Sequence, residues 1–168
     1  MGDGGPGVPS FGVRLAGVTY RPRASAYALV HDAAGALAVV RTPLGCFLPG
    51  GGAEPGEAAA ETVAREVAEE TGLRVVPGAV VGEAVELVHA AAERTGYEKR
   101  STFTVATVVS VGGAGGATEP DHRLEWHSPV SAAALLTPES HRWAVARWRA
   151  IAAAEPGPGA DTRRGAPT

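Results

Sequence analysis

A chain of 168 residues, 45% apolar and 20% charged, is most simply one domain with a core of its own, and it has no apolar run near the ~18 residues of a membrane span. Its formal net charge of −3 and pI near 5.9 give no electrostatic reason for general binding to DNA or RNA, so nucleic acid is not an expected partner. The single Cys46 excludes an intrachain disulfide and a Cys-based zinc site and fits a reducing cytosol; a cytoplasmic location is expected.

Residues 1 to about 10 are rich in Gly and Pro and read as a disordered lead-in, with 1–12 a flexible tail before a domain spanning 13–154. They contain no basic stretch followed by an apolar core, so a secretory signal is not expected. Val13 to Tyr20 is a candidate edge strand. Ala24 to His31 and Ala36 to Thr42 form the arms of a hairpin around Asp32-Ala33-Ala34-Gly35. Phe47-Leu48 continue as a short strand into Gly50-Gly51-Gly52, expected to be a flexible loop. From Glu57 to Thr71 good helix formers follow one another without Gly or Pro, and Gly72 supplies the left-handed position at which a helix stops.

Beyond the helix, Leu73 to Val76 and Ala79 to Ala90 predict strand, broken at Pro77-Gly78, and Glu93 to Gly96 a turn. Ser101 to Val111 is β-branched and alternating, hence a strand. Gly112 to Gly116 reads as a flexible loop, Arg123 to His127 as a short strand and Ser131 to Leu135 as a brief helix. Thr137-Pro138-Glu139 predicts a helix start with Thr137 as the capping hydroxyl. That last helix runs to about Ala154, with Val145, Trp148 and Ile151 spaced to face inward, and 155–168 reads as a disordered tail. Strands on both sides of one central helix, with another helix at the end, predict the α/β class: a mixed sheet covered on both faces.

The stretch from Gly51 to Leu73 carries the chemistry. On a wheel at 100° per residue, with Glu66 at zero, Glu70 falls near 40° and Glu69 near 300°, so three carboxylates share an arc of roughly 100°. Val63, Val67, Ala60 and Ala64 mark the core face, and the acidic arc borders it. A solvated acidic face is the bland explanation; a site for a hard divalent cation is the sharper one, because a metal turns like-charge repulsion into coordination. The glycine run just upstream favours the second, since it permits close backbone approach to a ligand. Arg65 is placed to reach Glu61 and Glu69 across one turn.

This stretch resembles the signature of the Nudix hydrolases, G-x5-E-x7-R-E-U-x-E-E-x-G-U with U an aliphatic residue. Gly51, Glu57, Arg65, Glu66, Val67, Glu69, Glu70, Gly72 and Leu73 fill its fixed positions at the right spacing. The resemblance implies an α/β/α sandwich and Mg²⁺- or Mn²⁺-dependent hydrolysis of a phosphoric anhydride in a nucleoside diphosphate linked to another moiety. It implies Gly50 (through its carbonyl), Glu66, Glu69 and Glu70 as metal ligands, with one of the three carboxylates as an alternative acceptor of the attacking water's proton. Glu57, Arg65, Glu66 and Glu69 form the expected catalytic group, with Arg65 orienting Glu66 or Glu57 by ion pair. A diphosphate cannot sit directly on carboxylates, so cations must bridge the two.

For a further carboxylate outside the box the candidates are Glu119, Asp121 and Glu125, with Glu125 preferred beside Trp126. Arg41, Phe47 and Tyr97 are assigned to the small-molecule nucleotide substrate, with core packing the competing role for Phe47 and Trp126. Arg21 and Arg23 are further phosphate candidates, and Trp143 and Trp148 read as packing residues. The five histidines show no metal-ligand spacing and read as structural. A non-catalytic nucleotide sensor is the competing function, and the oligomeric state stays open between monomer and homodimer.

Overall fold

The computed structural model describes residues 7–89, 94–111 and 120–154. The expected loop at Gly112 to Gly116, the tail 155–168 and the candidate Glu119 lie outside those residues. The elements are β1 (Ser10–Phe11), β2 (Thr19–His31), β3 (Leu37–Thr42), β4 (Gly45–Phe47), β5 (Gly50–Gly52), α1 (Ala59–Thr71), β6 (Leu73–His89), β7 (Thr95–Val111), β8 (Arg123–His127), α2 (Pro129–Leu135) and α3 (Glu139–Ala154).

Among the described residues the strands join one mixed sheet, ordered β1-β6-β7-β2-β3-β4, with β5 on β2 and β8 on β3. β1/β6 and β2/β7 are parallel and the other pairings antiparallel. The alternation of β2 fills two cores. Ala26, Ala28 and Val30 pack with Val63 and Val67 of α1 on one face, whereas Tyr27 and Leu29 pack with Phe103, Ala132, Ala144 and Val145 under α2 and α3 on the other. This is the expected α/β fold, a sheet between helical layers.

Several boundaries differ from expectation for local reasons. The supposed tail contains β1, whose Ser10 and Phe11 pair with Val85 and Glu86. The strand expected over Val13 to Tyr20 is interrupted, because Gly12 and Gly17 adopt positive φ, and extended pairing starts only at Thr19. Pro77-Gly78 does not end a strand but falls in a stretch of β6 where the register against β7 shifts, a bulge in one continuous strand. β7 begins at Thr95, inside the expected turn. Ile151 is 41% exposed and does not face inward, and Trp126 is also exposed.

The N-terminus of α3 is capped from a distance. Thr137 Oγ1 accepts from Cys46 N–H at 3.0 Å, so that hydroxyl serves the neighbouring strand. Glu86 of β6 takes over: its carboxylate accepts from Glu139 N–H at 3.1 Å, from Ser140 N–H at 3.2 Å and from the Ser140 hydroxyl. A carboxylate satisfies orphan donors and complements the positive end of the helix.

Candidate active site

The glycine run is itself a strand, β5, paired with β2 through Gly50↔Tyr27, Gly51↔Ala26 and Gly52↔Ser25. Its lack of side chains is a packing requirement. A Cβ on Gly51 would lie 2.6 Å from the Glu66 carboxylate on the α1 side. On the opposite face, a Cβ on Gly50 would strike the Ala26 carbonyl and come 2.6 Å from Tyr27 Cα, and one on Gly52 would come 2.8 Å from the Arg23 guanidinium. The strand is thus a thin partition with a functional layer on each side.

On the α1 side Arg65 is the hub. It donates to Glu57 through Nε and Nη2, each at 2.8 Å, to Glu66 at 2.8 Å, to Glu69 at 3.3 Å and to the Gly52 carbonyl at 3.1 Å. Glu57 and then Glu66 raise the Arg65 pKa above its ordinary value. Glu57 is held at about 2, chiefly by Arg65 and then by the Glu54 N–H. Glu61, expected within Arg65's reach, instead accepts from Ala58 N–H at 2.8 Å at the start of the helix. Gly72 closes the helix at φ 71° with its N–H on the Ala68 carbonyl, as expected.

Glu70 is nearly buried and ties the helix to the glycine strand: Oε2 accepts from Gly50 N–H at 2.9 Å, and Oε1 lies 3.4 Å from His122 Nδ1. Glu66 therefore lies against Gly51 and Glu70 against Gly50, whereas Glu69 is tied to the group through Arg65. Among the described residues no three His, Cys, Asp or Glu side chains already converge as a metal cluster. The donor set is still of the right kind for a hard cation: carboxylate and backbone oxygens, with a gap at Gly51 that any side chain would fill.

The outlying candidates divide. Arg41 grips Glu125 in a two-pronged pair at 2.7 and 3.0 Å, and His127 adds a contact at 2.9 Å. Arg41 and then His127 hold Glu125 at about 2. Glu125 pairs with Val39, which packs under α2 and α3, so its carboxylate leaves the sheet on the face opposite α1. Asp121 is exposed in the turn before β8. Tyr97 lies under the Arg23 guanidinium at 5.5 Å.

Phe47 instead lines a cavity of about 550 Å³ on the α3 side, together with Glu86, Lys99, Ser101 and His141. The last four carry no motif that marks them as site residues in the sequence. Only the step-of-two spacing Tyr97-Lys99-Ser101-Phe103 along β7 hints at a shared face, and nothing local links them to position 141.

A Nudix domain model matches residues 21–149. No curated protein matches the chain significantly. Solved structures resemble it: a Nudix hydrolase from Nitrosomonas europaea at 22% identity and TM-score 0.62, covering 78% of this chain and 90% of that one. A MutT protein from Methanosarcina mazei Go1 reaches 26% identity and TM-score 0.58, over 79% and 96% of the two chains. An ADP-ribose pyrophosphatase from Streptococcus suis 89-1591 has 19% identity and TM-score 0.53, over 81% and 96%. With the box complete and the domain model spanning most of its length, this chain belongs to the Nudix hydrolase family.

Proposed function

We propose that the chain hydrolyses a phosphoric anhydride bond in a small nucleoside diphosphate linked to another moiety, with Mg²⁺ or Mn²⁺ as cofactor. The observation that supports this best is the gathering of Glu57, Glu66 and Glu69 around Arg65, directly against a strand with no side chains. A merely solvated acidic helix needs neither the shared arginine nor the bare strand.

Glu66, Glu69 and Glu70, with the Gly50 carbonyl, are the oxygens that would hold the cation. When bound, it supplies charge neutralisation on the diphosphate and acidifies the attacking water. The protein's own parts do the rest. Arg65 sets the orientation of Glu66 while Glu57 anchors Arg65, so the carboxylates are fixed before substrate arrives. Glu69, with its side chain 44% exposed against 16% for Glu66 and 10% for Glu70, is the most accessible of the three to the attacking water. Glu70 holds Gly50 N–H and so keeps β5 at the helix.

The test is release of nucleoside monophosphate or phosphate from a panel of nucleoside diphosphate derivatives. Turnover should require Mg²⁺ or Mn²⁺, and Glu69→Gln should lower it by about 10²-fold or more with the fold intact by circular dichroism. Full activity in that variant, or turnover in excess chelator, would sink the assignment. Binding without any turnover would mark the chain as a nucleotide sensor.

A further inference from the structure

The cavity on the α3 side has a chemistry of its own. At about 550 Å³ it suits a nucleobase with part of its sugar. The His141 ring is buried, and its Nδ1 accepts from Leu48 N–H at 3.1 Å, which requires a lone pair on that nitrogen. Burial, and Lys99 nearby, push the imidazole well below its ordinary value of 6.5, so the ring is neutral and its proton sits on Nε2. Among the described residues Nε2 has no partner.

Lys99 lies beside it. Its ammonium donates to Tyr27 Oη at 2.8 Å and pairs with no carboxylate among the described residues, which leaves two further N–H donors. The carboxylate in the cavity wall, Glu86, is already engaged by the N–H groups of Glu139 and Ser140 and by the Ser140 hydroxyl. Lys99 and His141 therefore offer hydrogen-bond donors to the cavity, while its carboxylate is occupied.

We infer that Lys99 and His141 select a nucleobase that turns a carbonyl oxygen towards them, O6 of guanine or O4 of uracil, over adenine or cytosine, which carry an amino group at the corresponding position. An amino group at that position would set donor against donor beside the half-buried ammonium, and such mismatches discriminate. The inference rests on the hydrolase reading for the site's purpose, but its selectivity can be measured without catalysis.

Two measurements on the full chain separate the two. Calorimetric titration with GMP, UMP, AMP and CMP reads the cavity alone; kcat/KM for the matching diphosphate-linked nucleotides reads it in turnover. GMP or UMP should bind about tenfold or more tightly than AMP or CMP, and the same order should appear in kcat/KM. Lys99→Met, which keeps the aliphatic stem, should bring the ratio close to one, and Lys99→Arg should restore it in part. Equal binding of all four bases, an adenine preference, or an unchanged ratio in Lys99→Met overturns the inference and leaves hydrolysis standing. Selective binding with no turnover of any substrate would overturn the hydrolase reading and leave the selectivity standing.

Discussion

The two faces of the glycine strand are built by different means. On the α1 side the functional groups come from one stretch, Glu57 to Glu70, in which Arg65 meets Glu66 and Glu69 along the helix and Glu57 from the segment just before it. On the α3 side Tyr27, Glu86, Lys99 and His141 come from four elements far apart in sequence, and only the sheet and α3 assemble them. The first layer is dense with paired charge. The second is a cavity with a neutral histidine and an ammonium held by a phenol. A reaction centre that must position several carboxylates profits from helical rigidity, whereas a pocket for a variable group can be rebuilt strand by strand.

The comparison is broken most severely at the partition itself. Gly50→Ala would place a methyl against the Ala26 carbonyl and Tyr27 at a φ of 142°, so both layers should suffer together. Urea unfolding should show a loss of more than about 3 kcal/mol; an unchanged midpoint would mean that the strand is not a close-packed wall. Glu86→Gln acts on the α3 side alone, by weakening the charged cap on α3. It should cost about 1 kcal/mol, seen as a Tm lower by about 2–4 °C, and an unaltered Tm would remove the capping role.

The smallest effect is in pH dependence. Glu57 and Glu125 both have folded pKa values near 2, below the ordinary 4.5, so their pairings stabilise the fold fully above about 4.5. That stabilisation is lost as pH falls from about 4.5 towards 2. Thermal melts across this window should fall less steeply in Glu57→Gln, where the box side has lost its contribution, and less steeply also in Glu125→Gln. A variant as acid-sensitive as the parent would show that its ion pair contributes nothing.

Much of the α1 side was readable because its information is short-ranged. Gly72 ends the helix where expected, and Arg65 does meet Glu57, Glu66 and Glu69. Its preference for Glu57 over Glu61 was not readable, since Glu61 is drawn to the Ala58 N–H at the helix start. Arg41, a phosphate candidate by sequence, is engaged by Glu125, a pairing that depends on β3 lying beside β8. Thr137 had every local mark of a cap, yet its hydroxyl went to Cys46 because the chain entering α3 packs on β4.

Helical periodicity and motif spacing, both local quantities, determined by themselves the α/β class, the place of the central helix and the carboxylates it carries. The tertiary structure alone decided that the glycines form a strand, that Glu86 caps α3, and that Lys99 and His141 share a cavity. Those outcomes depend on strand register and on hydrogen bonds between residues dozens of positions apart, for which the order of residues along the chain holds no local mark.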